Sequence, residues 1–172
     1  MTIYYNYFSA YPFQVLSNMY PCHLVVGELD FNSSEQLFQY YRLNGHPTYQ
    51  AKVLSANNGF EAKAAAKHCF LKYPDQKKNE VRDKRAMLFA LQIKYQQCPI
   101  FQQTLQQYKE CELVEDATWG DDYWGIVKDE DGNYQGRNLC GKIMMLVRTG
   151  SMPIEYPENK MFQKIRENVQ LF

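Results

Sequence analysis

Apolar residues recur at helical spacing through much of the chain, and this period predicts most of its elements. Between Lys78 and Gln97, Ala86, Phe89, Ala90 and Ile93 fall at i, i+3, i+4 and i+7, which predicts a long helix with those four inward and Lys84, Arg85 and Gln92 off the buried face. Pro99 ends it, and "IFQQTLQQYKE" predicts the next helix. "TYQAKVLSA" and "GFEAKAAAKHCF" predict two short helices separated by Asn57-Asn58-Gly59, with "NGHP" as the turn before them. "LCGKIMMLVRTG" predicts a helix with Leu139, Ile143 and Leu146 inward, and "ENKMFQKIRENVQLF", after Pro157, a final amphipathic helix at 157–172. Alternation is scarce. "CHLVVGELDF" (22–31) predicts a hairpin turning at Gly27-Glu28, "CELVE" (111–115) a short strand, and "DEDGNYQGRN" a loop. The expectation is a mainly α fold (α+β with one small hairpin or sheet) in a single domain over 1–172.

One predicted helix carries an unusual face. In "SSEQLFQYYR" (33–42), Ser33 and Gln36 have capping-box spacing, and Glu35, Phe38, Gln39 and Arg42 then share one stripe. An acid, a ring, an amide and a cation in line suit the wall of a site better than a packing face.

Composition narrows the classes. A length of 172 residues suffices for one domain with a real core, and 45% hydrophobic with 22% charged residues excludes a disordered chain. Nineteen basic residues against nineteen acidic give a formal net charge of +0, without the broad basic field of a nucleic-acid coat. The start has no basic segment leading into an apolar run, and no run approaches a membrane span, so a cytoplasmic protein is expected. Five scattered cysteines without C-x-x-C spacing read as reduced thiols, most of them packing residues, and three dispersed histidines give no metal motif. No P-loop, G-x-G-x-x-G or G-x-S-x-G motif is present.

Two segments hold further candidate chemistry. "LVEDATWGDDYWG" (113–125) places Trp119 and Trp124 among Glu115, Asp116, Asp121 and Asp122. Indoles fill cores, but carboxylates resist burial, and the combination suits a sugar or a nucleotide as well as a core-anchoring loop. "GRNLCG" (136–141) runs from a loop into a helix, where Arg137 opposes the helix dipole unless a phosphate docks at the amides.

In order and spacing, "VLSNMYP" (15–21), "SSEQLFQYYR", "EAK" (61–63), "AMLFALQIKYQQCPIFQQTL" (86–105), "LVE", "DDYWG" and "GRNLCGKIMMLVR" (136–148) resemble the YbiA-like family, also called NADAR, over about residues 13–148. The resemblance implies a compact, mainly helical N-glycosidase domain that needs no metal or redox cofactor. It acts on phosphoribosylated riboflavin-pathway intermediates or on ADP-ribosylated guanine in nucleic acid. Glu35 then matches the family's helix-start glutamate, and Asp121 and Trp124 its D-x-x-W-G element. Gly136, Asn138 and Gly141 match its G-x-N-x-x-G element, and Lys94 the lysine ending the long helix. Asn79 or a neighbour stands where the family usually has tryptophan, and Arg42 where it has lysine.

The expected roles follow. Glu35 is the acid/base group, Asp121 orients ribose hydroxyls or offsets positive charge at C1, and Trp124 or Tyr123 stacks on a base or sugar beside Phe38 and Glu115. Arg42, Arg137 or Lys94 holds phosphate. Arginine does not release its proton, so a lysine-imine route is closed at position 42. The alternative expectation is therefore a pocket that binds ADP-ribose-like nucleotides without turnover. The expected partner is a nucleotide-like small molecule or ADP-ribosylated guanine in nucleic acid.

Overall fold

The computed structural model describes residues 1–76, 79–150 and 153–154. Its strands are β1 (Thr2–Tyr5), β2 (Leu24–Val26), β3 (Leu29–Phe31), β4 (Glu112–Glu115), β5 (Ile126–Lys128) and β6 (Tyr134–Gly136). Its α-helices are α1 (Ser34–Arg42), α2 (Pro47–Leu54), α3 (Gly59–Lys72), α4 (Glu80–Gln97), α5 (Pro99–Gln107) and α6 (Leu139–Val147), with short 3-10 turns at Phe13–Leu16 and Pro74–Gln76. The fold is mainly helical in a single domain, as expected. The final helix expected at 157–172 lies outside the described residues.

α1 runs through the centre, buried from Ser34 to Tyr41 and packed against α2, α3 and α4. Its start obeys the capping rule with one change. Ser33 Oγ accepts from the Gln36 amide at 3.2 Å, but the Gln36 side chain accepts from Asn32, one residue earlier, at 2.7 Å. The Gln36 amide group also donates to Val53 and Leu54 carbonyls, so a capping residue ties α1 to the end of α2.

Four expectations change. Three two-stranded sheets replace the one small sheet. β1 pairs in parallel with β4 in the register Ile3 to Leu113 and Tyr5 to Glu115, a pairing made across most of the chain and invisible to local reading. The segment expected as a loop forms the β5–β6 hairpin, because Asp129-Glu130-Asp131-Gly132-Asn133 closes a tight turn. Asp129 Oδ1 accepts from the Asn133 amide at 2.7 Å, and Gly132 takes a positive φ of 85°. Finally, two helix faces differ. Gln92 is buried, its amide reaching the Pro153 carbonyl at 3.1 Å, and Leu146 is exposed, since α6 buries Cys140, Ile143, Met144 and Val147 instead. No described helix is long and apolar enough to cross a membrane. All five cysteines are free thiols.

Candidate active site

A cavity of about 680 Å³ opens where α1, the end of β4, the first turn of α4 and the loop 119–124 converge. All four residues of the α1 stripe line it, so the stripe is a wall. Glu35 is fixed at the helix start: its amide donates to the Asn18 carbonyl at 3.0 Å, and Ser34 Oγ donates to Asn18 Oδ1 at 3.0 Å. Down the stripe, Gln39 Nε2 donates to Glu35 Oε1 at 2.7 Å and Arg42 Nη1 donates to Gln39 Oε1 at 3.2 Å. Arg42 Nη2 then reaches Asp83 Oδ2 at 3.0 Å, while its guanidinium lies over the Phe38 and Phe70 rings at 5.0 and 4.7 Å. The acid and the cation are thus joined through one amide, and the cation is held by a carboxylate and two rings.

β4 brings the second acid. Glu115 is 9% exposed, and its Oε2 is buried without a hydrogen-bond partner. Burial pushes its carboxyl up to about 7; the nearby Asp121 and Glu35 carboxylates push the same way, against the Cys140 thiol and Lys63. Asp121 also lines the cavity, and its Oδ1 accepts from the Tyr123 and Trp124 amides at 3.2 and 3.0 Å, folding the loop. Trp124 stands edge-to-face against Phe38 at 5.4 Å and Tyr123 at 5.0 Å. Glu35, Phe38, Arg42, Glu115, Asp121, Tyr123 and Trp124 are therefore brought to one cavity.

The remaining expected residues stand elsewhere. Lys94 is fully buried away from the cavity, where Nζ donates to the Val15 and Ser17 carbonyls at 2.8 and 2.7 Å and sits 4.5 Å over the Phe101 ring. It braces the segment leading to Ser17, Asn18 and Met19 and does not line the cavity. Asn138, in the left-handed region at φ 48°, accepts from the Glu115 amide at 3.0 Å and donates to the Leu113 carbonyl at 2.8 Å. Its side chain thereby completes the free edge of β4 as a strand would. A Cβ on Gly141 would stand 2.1 Å from the Leu113 carbonyl, and one on Gly136 2.5 Å from the Gly125 carbonyl. The G-x-N-x-x-G element is a clip that sets Glu115. Arg137 pairs with Glu80 at 3.2 Å over the Tyr123 ring, outside the lining.

Several lining residues escaped sequence reasoning. Asp83 and Glu80 stand outside the apolar spacing that predicts α4, and Tyr7, Phe8 and Phe60 come from segments that show no motif. Lys63, Ser17, Asn18, Met19 and Met87 had a signal only as members of "EAK", "VLSNMYP" and "AMLFALQIKYQQCPIFQQTL" in the resemblance.

The fold is shared beyond this chain. The family model for the NADAR domain matches residues 4–150, and the chain belongs to that family, which is associated with N-glycosidase activity. Among solved structures, the NMR structure of the Escherichia coli protein YbiA matches with a TM-score of 0.66 at 22% identity, over 87% of this chain and 86% of that one. No curated protein matches the sequence.

Proposed function

We propose that the chain hydrolyses the C1–N bond of a ribosylated base held in this cavity. The observation that carries the reading is Glu115, a buried acid of pKa about 7 set among two more carboxylates and aromatic walls. Breaking a C1–N bond builds positive charge at C1 and requires one proton transfer near neutral pH. Glu115 is balanced between its two protonation states there and is the proton-transfer group. Glu35, fixed by Gln39, and Asp121, at the turn beside Trp124, offset the charge at C1 and orient the ribose hydroxyls. Water adds its oxygen to C1 as the C1–N electron pair goes to the base. Trp124 and Phe38 flank the ring. Arg42 keeps its proton and cannot form an imine, so it holds an oxygen of the ligand or the shape of the wall. The family resemblance supplies two substrate types to try, ADP-ribosylated guanine and a riboflavin-pathway ribosylamine phosphate.

The test is release of free base from each, followed by chromatography. Glu115→Gln is expected to lower kcat by at least about a hundredfold, the usual scale for losing acid–base help, with binding retained. A variant as fast as the wild type removes Glu115 from the chemistry. Arg42, engaged by Asp83 and Gln39, favours a second reading: a nucleotide-binding module without turnover. That reading wins if the wild type releases no base while Arg42→Lys does.

A further inference from the structure

Away from the cavity, two of the five free thiols meet. Cys22 is half-buried at a shallow groove that it lines with His23 and Asp30, and its thiol donates to the sulfur of the buried Cys98. Backbone contacts on both sides hold the two segments together. Gln97, beside Cys98, accepts from the Val25 amide at 2.7 Å and donates to the Val25 carbonyl at 2.9 Å, and the Cys22 amide donates to the Asn32 carbonyl at 2.9 Å. Lys94 adds a buried cation one turn before Cys98. Among the described residues it has no carboxylate partner, and the acidic groups that face it are the thiols of Cys22, Cys98 and Cys140. A buried ammonium is stabilised by a nearby anion, and the three thiols differ in their capacity to supply one. Burial pushes the Cys140 thiol up, and the hydrogen bond to Cys98 pushes Cys22 up. The same bond holds Cys98 down against its burial, helped by the Lys94 charge. Cys98 is also the N-cap of α5, where the Ile100 and Phe101 amides favour its anion without forming a capping hydrogen bond.

We infer that Cys22 and Cys98 form a peroxide-responsive pair, with Cys98 as the thiolate that meets the oxidant and Cys22 as the thiol that resolves it into a disulfide. The two sulfurs already touch, one is held as an anion between a cation and a helix start, and the other keeps the proton that the second step expels. In the first step the Cys98 thiolate attacks one oxygen of hydrogen peroxide, the O–O bond breaks, and hydroxide leaves a Cys98 sulfenic acid. In the second the Cys22 sulfur attacks the Cys98 sulfur. The S–O bond breaks, and the hydroxyl departs with the Cys22 proton as water. Two sulfurs are thus oxidised to one disulfide, and one peroxide is reduced to one water and one hydroxide. The new bond fastens the segment entering β2 to the junction of α4 and α5, where Gln97 and Val25 already join them. Cys69, Cys111 and Cys140 are buried and take no part. The inference is independent of what the cavity hydrolyses.

The experiment treats the whole reduced chain with hydrogen peroxide, alkylates the remaining thiols in denaturant, and maps the digest by mass spectrometry without reductant. The wild type is expected to lose two alkylatable thiols and to yield one cross-linked peptide pair, Cys22 with Cys98, within a single chain. Cys22→Ser is expected to accumulate a sulfenic acid at Cys98, captured by dimedone. Cys98→Ser is expected to slow the loss of thiol to peroxide by about tenfold or more, because Cys22 alone stays protonated. A wild type in which Cys22 and Cys98 both remain reduced overturns the inference, and so does a disulfide that joins two chains. A Cys98→Ser protein that reacts as fast as the wild type overturns the assignment of the thiolate. The wild-type map needs no variant, so it decides the pairing even where a substitution disturbs folding.

Discussion

Replacing Glu115 by Gln is expected to make the protein more stable in alkaline solution, and the size follows from where the acid sits. The folded carboxyl titrates at about 7 against an ordinary value of 4.5, with burial as the leading cause. The folded value lies above the unfolded one, so between those two pH values the native state holds a proton that the unfolded chain has released. Stability from this group is therefore complete below the unfolded pKa and falls as pH rises through the window. With ~1.4 kcal/mol per pKa unit, the cost of ionising Glu115 in place reaches about 3 kcal/mol above pH 7. Glutamine keeps the shape and cannot ionise. Between pH 5 and pH 8 the wild type should accordingly lose about 2.5 kcal/mol relative to Glu115→Gln, since every other titrating group is common to both. Urea unfolding at a series of pH values, followed by the fluorescence of Trp119 and Trp124, measures this difference directly. Parallel stability curves for the two proteins would show that the carboxyl is not held protonated by its surroundings, and the argument for it as the proton-transfer group would go with them. A variant that is inactive yet more stable at pH 8 is the expected signature of a site that keeps a destabilising acid for its chemistry.

Trp124→Ala should weaken nucleoside binding about tenfold or more by calorimetry, because a ring stacked on an aromatic side chain gains roughly 1–3 kcal/mol; unchanged affinity would take the indole out of the site. Lys94→Met should lower unfolding free energy by about 2–4 kcal/mol, since the Val15 and Ser17 carbonyls lose a shared buried donor. An unaffected melting temperature would show that those carbonyls find another partner. Asn138→Ala should cost about 2–3 kcal/mol from two lost hydrogen bonds and a strained φ, and Asn138→Gly about 1 kcal/mol less, because glycine takes a positive φ freely. Equal losses for the two variants would mean that backbone strain plays no part.

What the sequence made legible was chemistry carried on one element. Ser33, Gln36 and the Glu35-to-Arg42 stripe interact at helical spacing, so local reading found both the cap and the wall. Trp124 and Asp121 were legible for the same reason, as neighbours on one turn. The errors came where a side chain serves a distant backbone. Lys94 looked like a phosphate ligand, yet its partners lie 79 and 77 positions earlier in the chain. Asn138 and its glycines looked like an anion loop, yet they complete β4 across 23 and 25 positions. In each case the residue type was read correctly as polar and committed, and only its partner was wrong. That distinction bears on the site itself. Lys94 and Asn138 are engaged by main chain, whereas Glu115 ends β4 with an oxygen that has no hydrogen-bond partner. The clip of Asn138 and the brace of Lys94 hold the walls still, and the unsatisfied acid between them is the group left free to react.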